Sequence, residues 1–169
     1  MGTRSPIILP TSSTPLPQVA AVALLALALS PSVSAQSQST IRHSVLSLTA
    51  SKDIAEPRAW VLRNEAQWKS FLAETVGHSG SAPQVDFSRQ TVIGIFAGQK
   101  NTGGYSIRIL RITARTEKGK PSSATVHYRV AAPPADGMVT QALTYPYTIL
   151  RVDGKPEKLE FDPPLPISP

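Results

Sequence analysis

At 169 residues, 41% of them apolar and 17% charged, with 16 prolines and no cysteine, the chain has the size and composition of one globular domain rather than two. Collagen, coiled-coil and multi-pass membrane proteins are excluded by that composition. Lys plus Arg number 17 against 11 Asp plus Glu, a net charge of +6 that allows attraction to anionic surfaces without identifying one.

The first 35 residues have the layout of a secretory signal: Arg4, an uncharged apolar run over 19–29, a break at Ser30-Pro31, then Val33 and Ala35 where a signal peptidase needs small side chains. The run is well short of the roughly 20 residues that span a bilayer as a helix. Cleavage after Ala35 is predicted, leaving Gln36 to Pro169 as an exported, periplasmic or secreted protein with no membrane span. The Pro-rich stretch from Pro6 to Pro17 is long for a signal's leading part, so retention as an anchor is the alternative. Lacking cysteine, the chain offers no thiol for a lipid and no disulfide, and its stability must come from packing.

Residues 36–57 read as a polar tether followed by a first strand at 45–48, with Lys52 to Pro57 as the connection to a second strand at 60–63. Asn64 then starts a helix. Its side chain can accept from the open amides of the first turn while Gln67 reaches back, a capping box. Trp68, Phe71, Leu72 and Val76 form the apolar stripe, Lys69, Glu74 and Thr75 the polar side, and Gly77 the stop. After a Gly/Ser/Pro loop over 78–85, residues 91–97 are apolar on both faces, as a central strand requires. In the next strand, 105–114, Tyr105, Ile107 and Ile109 alternate with polar residues before Leu110 and Ile112 take over the apolar role, which predicts a bulge near Ile109. A turn over 116–122 leads to Val126, Tyr128 and Val130, alternating with His127 and Arg129 as in a strand with one wet face. Strands at 147–152 and 158–161, turned by Asp153-Gly154, precede a Pro-rich tail, 163–169. The expected fold is α+β: a mostly antiparallel sheet of about six to seven strands with one amphipathic helix packed on it.

If the three central strands form an up-and-down meander, the loops 98–104 and 131–137 meet at one end of the sheet. Loops on a rigid sheet commonly carry binding, so this end is the candidate working surface. Gly103 and Gly104 suit a tight turn into Tyr105, and equally strip the loop so that a partner's backbone can approach. Tyr105 would then be an aromatic wall and Lys100 a charge at the rim. Pro133 and Pro134 stiffen the facing loop and lower the entropy lost on docking.

The order of motifs resembles a known family. A tryptophan-bearing helix, Val85-Asp86-Phe87-Ser88, an apolar strand ending in Gly98, Thr102-Gly103-Gly104-Tyr105 with Ile107, Pro133-Pro134, Val139-Thr140-Gln141-Ala142 and Thr144-Tyr145-Pro146-Tyr147 together look like the PrcB C-terminal domain family, over roughly 58–152 within a domain of 58–162. That family consists of bacterial envelope proteins named for an accessory subunit of a subtilisin-like protease complex. The resemblance implies a non-enzymatic, protein-binding domain that assists or stabilises an envelope protease. Its expected partner-binding residues are Lys100, Thr102, Gly103, Gly104, Tyr105, Pro133, Pro134 and Tyr145.

Residue chemistry gives an enzyme little to work with. There is no cysteine and no nucleophile elbow. His43, His78 and His127 stand alone in sequence, without the close spacings of a zinc site, so no metal and no cofactor are expected. On the polar face of its strand, His127 reads as solvated rather than as a base; Asp86 reads as a cap, and Asp136-Gly137 as a turn. A protease inhibitor is the serious alternative: Asn101-Thr102-Gly103-Gly104-Tyr105 is loosely similar to the wedge loop of chagasin-type cysteine-protease inhibitors, although no proline follows Asn101. Arg108, Arg111, Arg115, Lys118 and Lys120 have no aromatic stacking platform between them, which argues against nucleic acid and for a solvated face with weak attraction to anionic envelope polymers.

Overall fold

The computed structural model describes residue 2 and residues 38–76, 82–117 and 120–168. The signal-like stretch, the stop at Gly77, His78, Lys118 and Gly119 lie outside the described residues. In chain order the elements are β1 (Gln38–Thr40), β2 (His43–Val45), β3 (Pro57–Leu62), α1 (Glu65–Phe71) running into a π-helical turn (Leu72–Val76), β4 (Gln90–Ala97), β5 (Ser106–Glu117), β6 (Lys120–Ala131), β7 (Tyr147–Asp153), β8 (Lys158–Asp162) and β9 (Ile167–Ser168).

Sheet plus one short helix matches the expectation at its coarsest, but the strands form two sheets rather than one. Four strands run β1-β5-β6-β8 and five run β2-β7-β4-β3-β9. The cause lies in β4. Gly94 pairs with Trp60 of β3 on one side and with Ile149 of β7 on the other, so both edges are taken and β5 must begin a new sheet. The pairings are antiparallel except β6 with β8 and β3 with β9. That last pairing makes the Pro-rich tail part of the sheet: Ile167 and Ser168 lie beside Ala59 and Trp60.

Alternation along β4 sorts the molecule into three layers. Ile93 and Ile95 face the four-stranded sheet and pack with Ile112, Ala114, Val126, Leu150 and Phe161. Val92 and Phe96 face the other way, onto Trp60, Trp68, Phe71 and Ile149. A strand buried on both faces reads as an unbroken apolar run for this reason. The helix-side core is aromatic. Trp60 meets Phe96 edge-on at 5.0 Å, and Phe71 sits so close over β4 that a Cβ at Gly94 would lie 3.2 Å from its ring.

Asn64 starts the helix as its sequence predicts: its Oδ1 accepts from the Gln67 amide at 2.9 Å, while Gln67 Oε1 accepts from the Arg63 amide at 2.8 Å. Thr75 departs from the expected polar side and is fully buried. The π-helical turn shifts its phase inward, where its hydroxyl donates to the Phe71 carbonyl and its own carbonyl accepts from Ser51. The bulge falls between Ile109 and Arg111. It leaves Leu110 59% exposed, keeps Ile107, Ile109 and Ile112 against the core, and sends Arg108, Arg111 and Arg115 to the opposite face.

Candidate functional site

Ser106 pairs with Ala131, so the residues just before β5 and just after β6 are forced together at the open end of that hairpin. The two loops therefore meet although β4 and β5 do not pair; the expected meander was unnecessary to the result. A third segment, 138–146, lies across both. The Lys100 amide donates to the Thr144 carbonyl at 2.8 Å and the Thr144 amide returns to the Lys100 carbonyl at 3.0 Å. Thr144 Oγ1 donates to the Thr102 carbonyl at 2.7 Å, and the Gly103 amide to the Thr140 carbonyl at 2.9 Å.

The side chains follow this frame. Lys100 Nζ donates to the Ala97 carbonyl at 2.9 Å and lies 6.0 Å from the centre of the Tyr105 ring. The Tyr145 hydroxyl reaches Gln99 Oε1 at 3.4 Å, and Tyr105 and Tyr145 line a shallow groove of about 420 Å³. Only Gly104 of the glycine pair needs its freedom: its φ is +84°, and a Cβ there would stand 2.8 Å from Pro133 Cβ. A Cβ on Gly103 would rest at an ordinary 3.5 Å from Thr140. The space beside these glycines is thus taken by the chain's own Pro133, Val139 and Thr140.

Lys100, Thr102, Gly103, Gly104, Tyr105, Pro133 and Tyr145 gather at this end, and Pro134 lies in the adjoining turn, its carbonyl accepting from the Gly137 amide at 3.0 Å. Sequence reasoning missed Met138, fully exposed, and Leu143, 56% exposed, on the segment that straps the loops. Their signal was available: two large apolar residues in a proline-bearing connection between strands.

Elsewhere, Asp86 is a turn residue. The Ser88 hydroxyl and amide donate to it and Arg89 pairs with it, which together hold its carboxyl below the usual aspartate range. His127 corrects the expectation of a solvated ring. Its side chain is 18% exposed, with Nδ1 2.8 Å from Asp162 Oδ2 and Nε2 3.2 Å from Thr113 Oγ1. The hydroxyl, ring and carboxylate link β5, β6 and β8, His127 standing opposite Asp162 and diagonal to Thr113. Thr113 itself is paired with Thr40 of β1 and Thr125 of β6, so the hydrogen-bonded chain ties neighbouring strands together as a cross-strand clamp.

The fold and the loop end define a class: a layered, mostly β domain with a strapped loop cluster at one end. Residues 91–153, from β4 through β7, match the family described as PrcB C-terminal. The matched span starts later than the resemblance over 58–152, leaving β3 and α1 outside it. Neither a curated protein nor a solved structure matches the chain.

Proposed function

We propose that this protein is an exported, non-enzymatic binding domain that docks a protein partner at its loop end, as an accessory or stabilising factor for an envelope protease. The observation that carries the reading is the pairing of an internally bonded loop frame with the exposed Met138 and Leu143 on the segment that straps it and also bears Tyr145. Pre-ordered loops lose little entropy on docking, and exposed apolar and aromatic side chains supply the buried contact that anchors an interface. The PrcB C-terminal match supports a protease as the partner's class, and the signal-like first 35 residues support the location.

The test uses the mature chain, Gln36 to Pro169, as bait in an envelope extract beside a Met138→Asp/Leu143→Asp variant of unchanged melting temperature. Retention of a protease by the parent and its loss from the variant is the expected result. Titrating that protease then separates the roles. Protection from heat or autolysis marks an accessory factor, whereas a progressive fall in activity marks the inhibitor alternative, with loops 98–104 and 131–137 as its wedge. Equal retention by both forms would remove the loop end from the reading.

A further inference from the structure

Away from the loop end, the outward face of β5 and β6 gathers arginines. Arg108 stands directly opposite Arg129, Arg111 opposite His127, and Arg115 opposite Ser123, which lies beside Lys158 of β8. Like charges directly opposite on neighbouring strands cost stability. No ion pair among the described residues engages Arg108, Arg111, Arg115 or Arg129, whereas Arg42, Arg58 and Arg89 each have a carboxylate partner. The two carboxylates that β8 brings to this face are already engaged, Glu160 with Lys158 at 2.6 Å and Asp162 with His127. A stripe of four guanidiniums that make no ion pair among the described residues, extending roughly 20 Å along β5, remains, with Glu160 near enough to Arg115 to feel its charge.

Beside the stripe, Arg111 and Arg115 border a concavity of about 540 Å³ whose other walls include Gln38, Thr113, Ser123 and Thr125, with Glu160 at its side already bonded to Lys158. Hydroxyl and amide groups there suit a hydroxyl-bearing ligand, and guanidiniums suit phosphate, which they grip through two hydrogen bonds. The outward positions from Arg108 to Arg115 and from Ser123 to Arg129 hold no Phe, Tyr or Trp, and the one imidazole there, His127, has both ring nitrogens engaged by Thr113 and Asp162. Bases or sugar rings would have nothing to stack on there.

From this charge complementarity we propose that the outer face of the four-stranded sheet binds a flexible polyol phosphate chain, its phosphates along the arginines and its hydroxyls toward the concavity. The stripe starts at Arg108 and Arg129, two residues in from the Ser106–Ala131 pair, and runs away from the loop end, so either reading stands if the other fails.

The mature protein is titrated calorimetrically, in low salt, with a synthetic glycerol phosphate oligomer long enough to cover the stripe. Single-stranded DNA and polygalacturonate serve as ring-bearing polyanions. Arg108→Gln/Arg129→Gln and Arg111→Gln/Arg115→Gln are each expected to weaken oligomer binding by about tenfold or more, and each lost phosphate contact to shallow the salt slope by about 0.7. Lysine at the same four positions, which preserves charge, should recover part of the affinity and so report on the bidentate grip. Oligomer binding that ignores all these changes, DNA or polygalacturonate binding as tightly as the oligomer, or no binding in low salt would each overturn the proposal.

Discussion

Around the loop end the chain turns its polar groups on itself: Lys100 bonds Thr144 in both directions, Thr102 and Gly103 are held by Thr144 and Thr140, and Pro133 closes on Gly104. On the outer face of the four-stranded sheet, by contrast, four arginines make no ion pair among the described residues, two of them directly opposite each other. The first region has a fixed shape and offers apolar side chains at short range; the second has a regular strand backbone and offers charge at long range. Such surfaces call for different partners, and salt should tell them apart, because screening reaches exposed charges but not buried apolar contact.

The largest effect is expected where the loop frame is tightest. Gly104→Ala must hold a side chain at φ +84° with Pro133 in its way, and should lose about 1–3 kcal/mol in a denaturant titration. Gly103→Ala, one residue earlier, should stay within about 0.5 kcal/mol. Equal losses at both positions would mean that the frame is set otherwise.

On the other side of the comparison, removing charge should help. Arg129→Gln relieves the repulsion with Arg108 and is expected to raise stability in low salt by about 0.2–1 kcal/mol, a gain that fades as salt is added. A loss instead would show that the arginine stem packs on the sheet.

The smallest effect concerns acid. Lys158 donates to Glu160, and its charge with that of Arg115 behind it holds the Glu160 carboxyl below the usual glutamate range. A lowered folded value means that the contact contributes above the ordinary glutamate pKa and is lost as pH falls through the lowered one. Glu160→Gln should therefore slightly lower the neutral portion of the stability curve and leave its acid end little changed, so that the acid limb is flatter.

Local chemistry was legible in the sequence and long-range pairing was not. Asn64 and Gln67 sit within one helical turn, so their capping could be read directly, and the apolar run of β4 announced a strand covered on both sides. Alternation shows which face a residue takes but not which strand lies beside it, so the division into two sheets stayed hidden. β1, β2 and β9, with two or three residues each, are too short for any period to show. His127 and Asp162 are 35 positions apart and meet only through the parallel pairing of β6 with β8. Loops 98–104 and 131–137 were placed together correctly because the β5–β6 hairpin suffices to join them.

The most direct test of the division of labour captures protein partners from envelope extract at low and high salt, using the mature parent, Met138→Asp/Leu143→Asp, and Arg108→Gln/Arg129→Gln. The account predicts a protease held by the parent and by the arginine variant, retained through high salt, and lost with the loop variant. Capture that survives the loop changes but disappears with the arginines or with salt would contradict it.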